Sequence, residues 1–276
     1  MDIDFLIKKA KETRTLILTS LIYAGSGHTA GPLGMADIFT ALYFGKVMKY
    51  DPKNPNLPDR DIFVLSNGHI CPVLYTSMAL AGFFPPEELQ TLRKFKSRLQ
   101  GHPHREFLPG LETSSGPLGS GLSQAVGFAL ANRLDKKENF VFCAMSDGEL
   151  DEGNSWEAIM FAGKEKLSKL IAVVDRNNIQ IDGKTEDVMP LEPLSQKWKA
   201  FGWYVIEIDG HDFNQILSAF GEAKKSKDKP VVIIAKTISG KGVKEWEGDF
   251  KWHGKPPKTE DEIKLAKKYF PEIKTN

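Results

Sequence analysis

The chain has 276 residues, of which 41% are hydrophobic and 26% are charged. A chain of this length can bury roughly three quarters of the surface that its unfolded state exposes, so a full core can form without disulfides or a structural metal. The 37 lysines and arginines nearly balance the 36 aspartates and glutamates. This balance gives no reason to expect nucleic acid or a membrane surface as a partner.

The cysteines and the N-terminal segment indicate a cytoplasmic protein. Cys71 and Cys143 lie in apolar runs without CxxC or Cys/His spacing, which favours buried, reduced thiols over a zinc site. The acidic N-terminus leads into an amphipathic pattern and does not resemble a signal peptide. No apolar run approaches the roughly 20 residues that a membrane span needs.

Helical and strand patterns alternate along the chain. Residues 3–23 are predicted to form a helix, which a glycine-rich stretch at 25–34 separates from a second helix at 35–44. Short apolar strands follow, with helical patterns between them. These strands are predicted at 62–65, 140–145, 170–174, 203–208 and 231–235.

The strand runs are mostly continuous rather than alternating, so we expect strands that are covered on both faces. This predicts an α/β fold with a doubly wound, mostly parallel sheet and helices on both faces. We expect a single domain over residues 1–276, in which 254–276 form a charged C-terminal tail that is a surface helix or an outer strap.

Polar residues cluster directly after the predicted strands. Ligands bind at the carboxyl ends of the strands in open α/β sheets, which nominates His69, Asp147, Asn177 and the segment after Ala235. A carboxylate and an amide offer oxygen ligands to a hard divalent cation, Mg²⁺ or Ca²⁺. They make a weak site alone, so an anionic diphosphate should arrive with the metal. Gly148 allows close backbone approach, and the helix start after it favours negative charge.

Asp147-Gly148, followed after a helical pattern by Asn177-Asn178, resembles the signature of thiamine diphosphate enzymes. Further motifs narrow the resemblance to the transketolase family, whose pyrophosphate-binding domain has a thiamine-diphosphate-binding fold. The matching stretches occur in family order across nearly the whole chain: Gly25-Ser26-Gly27-His28, Leu65-Ser66-Asn67-Gly68-His69, Gly101-His102-Pro103, Gly116-Pro117-Leu118-Gly119-Ser120-Gly121, Asp147-Gly148 through Glu152-Gly153, Asp175-Arg176-Asn177-Asn178-Ile179, Ile181-Asp182-Gly183 and Trp252-His253-Gly254.

The resemblance implies residues that hold the metal and the cofactor. The metal would be bound by Asp147, Asn177 and the backbone carbonyl of Ile179. The diphosphate would be contacted by His69, Gly148 and His253. The thiazolium and aminopyrimidine rings would be lined by Gly116, Pro117 and Leu118.

The resemblance also implies residues for the substrate and for assembly. His28, His102 and His253 would face a sugar, polarise its hydroxyls and carbonyl and relay protons. Glu152 and Glu157 resemble buried acids near a dimer interface that link paired sites. Four of the six histidines fall in matched motifs. Of the others, His104 is expected to be a loop neighbour of His102, and His211 to cap the helix that begins near Phe213.

The sequence departs from the family in two respects. Ser146 stands where the family usually has glycine before the metal-binding aspartate, from which we expect a modest effect on the turn. The larger departure is length, because only the pyrophosphate-binding domain of a complete transketolase fits. The glutamate that activates the aminopyrimidine comes from the pyrimidine domain, so the resemblance implies a separate C-terminal subunit that carries the pyrimidine-binding and C-terminal domains.

We therefore expect the N-terminal subunit of a split transketolase, in an α2β2 heterotetramer that acts on sugar phosphates. One alternative is a subunit of another thiamine enzyme, either deoxyxylulose-phosphate synthase-like or a 2-oxo-acid dehydrogenase α subunit. The histidine set argues for sugar substrates instead. A second alternative is a non-catalytic cofactor-binding subunit, against which the presence of all the expected histidines weighs.

Overall fold

A parallel five-stranded sheet organises the molecule, and the computed structural model describes it over residues 2–275. Five of the seven described strands form this sheet: β1 (Ile62–Leu65), β2 (Val141–Ser146), β3 (Leu170–Arg176), β6 (Tyr204–Asp209) and β7 (Val231–Lys236). They lie in the order β1-β2-β3-β7-β6, and each neighbouring pair is parallel. Two short strands, β4 (Ile179–Gln180) and β5 (Gly183–Lys184), pair antiparallel just after β3. The predicted parallel α/β sheet is confirmed, with some strand ends shifted by one or two residues.

Helices cover both faces of the sheet. The α-helices are α1 (Ile3–Ala24), α2 (Ala30–Gly34), α3 (Ala36–Phe44), α4 (Cys71–Leu80), α5 (Ser120–Leu134), α6 (Gly153–Lys164), α7 (Thr185–Val188), α8 (Leu194–Ala200), α9 (Phe213–Ala223) and α10 (Glu260–Tyr269). Short 3₁₀ segments span Gly68–Ile70, Pro86–Thr91, Gly148–Asp151 and Phe250–Trp252. Within residues 2–275, none of the helices has both the length and the apolar character needed to cross a membrane.

Two apolar layers lie on opposite faces of the sheet because side chains alternate along each strand. Phe142 and Ala144 of β2 pack into the layer formed with α1, α3, α4 and α9. Val141, Cys143 and Met145 face the layer formed with α5, α6 and α8. Burial on both faces explains why the strands are continuous apolar runs. Cys71 and Cys143 are buried free thiols, as predicted.

The glycine-rich stretch after α1 brings two of the predicted site histidines together. Helix α1 ends at Gly25, whose φ of 62° suits glycine, and the chain turns directly towards His28. A Cβ at Gly31 would lie 2.7 Å from the Ile70 side chain. The absence of that Cβ lets α2 pack against the segment that carries His69.

The C-terminal tail is a helix anchored to the core. Helix α10 begins with a capping box in which Thr259 and Glu262 satisfy each other's backbone N–H groups. Ala266, Phe270 and Ile273 are buried in the layer that contains α1. Helix α10 covers only Glu260–Tyr269 of the predicted tail, and the described residues on either side of it are not helical.

Candidate active site

A cleft lies at the carboxyl ends of β2 and β3 and collects most of the predicted cofactor residues. Its volume is about 190 Å³, and its lining includes His69, Leu118, Gly148, Asn177, Ile179 and His253. Complete small-molecule sites usually measure roughly 300–1,000 Å³. The cleft is therefore small for a whole cofactor site and suits one wall of a larger site.

Asp147 lies between Ser146 and Gly148, which both line this cleft, and is fully buried. Its Oδ1 accepts a hydrogen bond from Gly148 N at 2.8 Å, and its Oδ2 accepts from Asn178 N at 2.6 Å and Arg176 Nη1 at 3.0 Å. Burial raises the pKa of this carboxyl, while the Asn178 amide and Arg176 lower it. A bound divalent cation would favour the ionised form further.

Asn177 follows the neighbouring strand, and Asp175 fixes its orientation. The register pairs Ser146 with Asp175, which brings the ends of β2 and β3 together. Asn177 Nδ2 donates to Asp175 Oδ2 at 2.8 Å, and its Oδ1 accepts from Ile179 N at 2.9 Å. Burial raises the pKa of Asp175 to about 7, although Thr237 donates a hydrogen bond to it. The amide oxygen of Asn177 therefore faces away from Asp175.

These donors suit a hard divalent cation that binds with additional oxygens. One carboxylate and one amide converge at neighbouring strand ends, which is the type of ligand that Mg²⁺ and Ca²⁺ prefer. Among residues 2–275 no group of three His, Cys, Asp or Glu side chains forms a metal site by itself. The donor set therefore fits a metal whose coordination is completed by diphosphate oxygens and water.

Three histidines from distant segments form a cluster, and two of them, His69 and His253, line the cleft. The ring centroids of His28 and His69 are 4.9 Å apart, those of His69 and His253 are 5.2 Å apart, and those of His28 and His253 are 5.6 Å apart. Burial, followed by His253, His102 and Arg93, lowers the pKa of His28 to about 4. Burial also lowers the pKa of His69 and His253. The rings are therefore neutral near pH 7 and can accept or donate hydrogen bonds.

His102 is exposed beside this cluster, and Arg93 accompanies it. Burial and the Arg93 charge lower the pKa of His102. A Cβ at Gly101 would lie 2.6 Å from Arg93 Nη1, so the absence of a side chain at Gly101 leaves room for the guanidinium. Arg93 has a φ of 61° and comes from a loop that shows no motif in the sequence, so it was not among the predicted site residues.

Buried polar atoms beside the cleft indicate a ligand. His28 Nδ1 and both amide atoms of Asn67 are buried and have no hydrogen-bond partner within residues 2–275. Such atoms in a folded protein usually bind water or a ligand. The histidine cluster therefore fits the polar groups of a cofactor or a sugar.

The loop predicted to line the cofactor rings packs against the 3₁₀ segment that carries His69. An ideal Cβ at Gly68 would lie 3.1 Å from Gly116 N, so the two backbones approach closely. Leu118 lines the cleft, whereas Pro117 is exposed. The buried Glu149 accepts a hydrogen bond from Gly119 N at 2.6 Å. Glu149 was not among the predicted site residues.

Glu152 and Glu157 do not lie in the interior of this chain. Both are exposed at the start of α6. The same helix exposes 54% of Met160 and 43% of Phe161, which are large apolar side chains. Within residues 2–275 nothing covers the two acids, so the burial that the resemblance implies for them is not found in this chain.

The two remaining histidines have local roles. His104 stacks on Phe107 with ring centroids 4.5 Å apart. The prediction that His211 caps α9 is wrong, because Asp212 is the cap and accepts from Asn214 N. His211 instead pairs its Nδ1 with Asp37 at 2.7 Å and accepts from Ile238 N at 2.8 Å.

Comparisons with known proteins agree with this geometry. A family model described as the thiamine diphosphate binding domain of transketolase matches residues 7–272. The chain is 45% identical to the 6-deoxy-6-sulfo-D-fructose transketolase subunit SqwG of Clostridium sp. (strain MSTE9), over 89% of each chain. It is 39% identical to one subunit of the apulose-4-phosphate transketolase of Phocaeicola vulgatus, over 94% of this chain and 92% of that protein.

A solved structure shares the fold. The transketolase of Campylobacter jejuni subsp. jejuni superimposes with a TM-score of 0.89 at 38% identity, covering 99% of this chain. The match covers only 44% of that transketolase, so this chain spans less than half of its length.

Proposed function

Because the chain belongs to the transketolase family, in which it forms the thiamine diphosphate binding domain, we propose that it is the cofactor-binding subunit of a two-chain transketolase. The observation that supports this most strongly is the placement of Asn177, His69 and His253 around one cleft, with the buried Asp147 directly behind Gly148 of its wall. These residues come from four separate segments of the chain.

The metal and the diphosphate would bind at the base of the cleft. Asp147, the Asn177 amide oxygen and the Ile179 carbonyl would hold Mg²⁺ or Ca²⁺. His69, Gly148 and His253 would contact the diphosphate oxygens. A Cβ at Gly148 would lie 3.0 Å from the Gln180 side chain, so glycine keeps this wall open to close approach.

Ketol transfer would use the histidine cluster for proton movement and orientation. Bound thiamine diphosphate supplies the carbon nucleophile that breaks and forms carbon–carbon bonds. His28, His102 and His253 would bind the sugar hydroxyls and carbonyl, and their neutral rings can take up a proton. Arg93 adds a positive charge that suits an anionic sugar. The substrates would be a ketose phosphate and an aldose phosphate, or related anionic sugars. The names of the two relatives mention 6-deoxy-6-sulfo-D-fructose and apulose 4-phosphate.

A second chain would complete the site. Three features support this proposal: the small volume of the cleft, the exposed acids and apolar residues of α6, and the two relatives that are themselves named as subunits. The partner would carry the pyrimidine-binding and C-terminal domains and contribute the activating carboxylate. We propose an α2β2 assembly, and a cytoplasmic location.

The choice of donor tests this function against the alternatives. With the partner chain, thiamine diphosphate and Mg²⁺ present, we expect turnover with xylulose 5-phosphate and none with pyruvate. His253→Ala should lower turnover by about 10²-fold or more, the usual contribution of a positioned acid–base group. His104→Ala is the matched control, because His104 lies outside the cluster. Turnover with pyruvate alone would favour a 2-oxo-acid enzyme, and unchanged turnover in His253→Ala would favour a non-catalytic subunit.

A further inference from the structure

Glu149 is a buried acid whose partners within residues 2–275 are neutral donors. It follows Gly148 in the short 3₁₀ segment, is 0% exposed and lines the cleft. Its carboxylate forms no ion pair with any residue of this described range. A buried carboxylate without a cation needs several hydrogen-bond donors to offset the loss of hydration.

Three donors from three segments converge on this carboxylate. Oε1 accepts from Ser66 Oγ and from Gly119 N at 2.6 Å, and Oε2 accepts from Ser146 N at 3.2 Å. Ser66 Oγ in turn accepts from Gly121 N at 3.0 Å. Glu149 thus joins the end of β1, the end of β2 and the start of α5.

The carboxylate also occupies the positive end of a helix. The first N–H groups of α5 have no partners within the helix, and a negative charge there is favourable. Glu149 satisfies the N–H of Gly119 directly and that of Gly121 through Ser66. The N–H groups of Gly119 and Gly121 at this helix end therefore already have acceptors, and a bound diphosphate would be contacted by His69, Gly148 and the metal instead.

Close packing makes these hydrogen bonds specific. Gly119 has a φ of 78°, and a Cβ there would lie 2.0 Å from Asn154 Oδ1. A Cβ at Gly121 would lie 2.4 Å from the Ser66 side chain. Gly119 of the loop 116–119 therefore packs directly against Asn154 of α6, and Gly121 of α5 packs against Ser66 just after β1. The Glu149 carboxylate connects these glycines to the ends of β1 and β2.

We propose that Glu149 is a positioning residue that holds the loop 116–119 and the start of α5 in the geometry in which the cleft receives its cofactor. This inference rests on the proposed function for one point, the identity of the cofactor as thiamine diphosphate. Glu149 acts through Gly119, Ser66 and Ser146, so it shapes the cofactor wall rather than the chemical step.

The test compares Glu149→Gln with Asp61→Asn. A glutamine side chain has one acceptor oxygen and one NH₂ donor, so it cannot accept from Ser66, Gly119 and Ser146 at once. Its NH₂ group would face at least one of these donors without an acceptor. Asp61 is a matched control because it is also buried and accepts from two backbone amides, Lys49 N and Phe140 N, each at 2.9 Å. It lies at the amino ends of β1 and β2, at the opposite end of the sheet.

Two measurements are needed. In hydrogen–deuterium exchange of the chain, Glu149→Gln should speed exchange of the amides in 116–123 by about tenfold or more, and Asp61→Asn should not. In the complex with the partner, Glu149→Gln should raise the Kd for thiamine diphosphate in the presence of Mg²⁺ by about tenfold or more. Turnover at saturating cofactor should change by less than about twofold, since the chemical groups remain.

Equal exchange and equal cofactor affinity in the two variants would overturn the proposal and leave Glu149 with a role in stability only. If Glu149→Gln does not fold, Ser66→Ala provides the same test. It removes one of the three donors to Glu149, and with it the link to Gly121, and should weaken cofactor binding in the same direction. A wild-type complex that binds no thiamine diphosphate would refute the proposed function. The exchange experiment would still decide whether Glu149 holds the loop.

Discussion

At the scale of single residues, the histidine cluster couples the site to pH. Burial and neighbouring charges lower the pKa of His28 to about 4, from 6.5 in an unfolded chain. Between these two values the unfolded chain binds more protons than the folded chain. The free energy of unfolding therefore falls as the pH drops from 6.5 towards 4 and is fully retained above 6.5.

This predicts that His28→Gln makes the protein less sensitive to acid. Each histidine of this kind contributes roughly 1.4 kcal/mol per pH unit across its window. Between pH 7 and pH 5, His28→Gln should therefore lose about 2 kcal/mol less stability than the wild type. Urea unfolding at several pH values measures this, with His104→Gln as the control. Identical pH dependence in the two variants would mean that His28 is not held neutral by the cluster.

Some site residues could be predicted from the sequence, and others could not. Asp147 and Asn177 were predictable because each directly follows an apolar strand, and the parallel register brings these strand ends together. Glu149 was not predictable, because its partners Ser66 and Gly119 lie 83 and 30 residues away in the chain. The position of His211 was missed for a similar reason, since its partner Asp37 is 174 residues distant.

At the scale of elements, the segment after β7 (residues 237–254) carries His253 over the cleft. Trp246 and Trp252 stack within it, with ring centroids 3.9 Å apart, and both are buried. Gly240 N donates to Ala30 O at 2.9 Å, which fixes the segment to α2. The motif around His253 indicated that this residue belongs to the site. The backbone course of residues 237–254 could not be predicted, because the segment has no helical or strand periodicity.

Weakening the tryptophan stack should therefore impair catalysis as well as stability. Trp246→Leu should lower the free energy of unfolding by about 2–4 kcal/mol, through loss of packing and of the aromatic pair. Trp198→Leu is the matched control, since Trp198 is equally buried and packs on Trp203 in the other layer. At a temperature where both variants are folded, turnover of the complex should fall in Trp246→Leu by at least about tenfold more than in Trp198→Leu. Equal turnover in the two variants would mean that the tryptophan stack does not position His253.

At the scale of the whole molecule, the proposed function makes this chain one wall of an active site with a face suited to assembly. The cleft measures about 190 Å³, and the start of α6 beside it exposes acids together with Met160 and Phe161. The parallel sheet could be predicted from its apolar runs. The exposure of Glu152 and Glu157 could not, because the resemblance implies their burial in an assembly, whereas the structure describes a single chain.

The most direct test of a divided active site measures ketol transfer from xylulose 5-phosphate to an aldose phosphate, with thiamine diphosphate and Mg²⁺ present. The purified chain, a partner chain with the pyrimidine-binding and C-terminal domains, and their mixture would be assayed side by side. We expect turnover in the mixture and none above background with either chain alone, because each chain supplies only one wall of the site. Full ketol transfer by this chain alone would contradict the divided site.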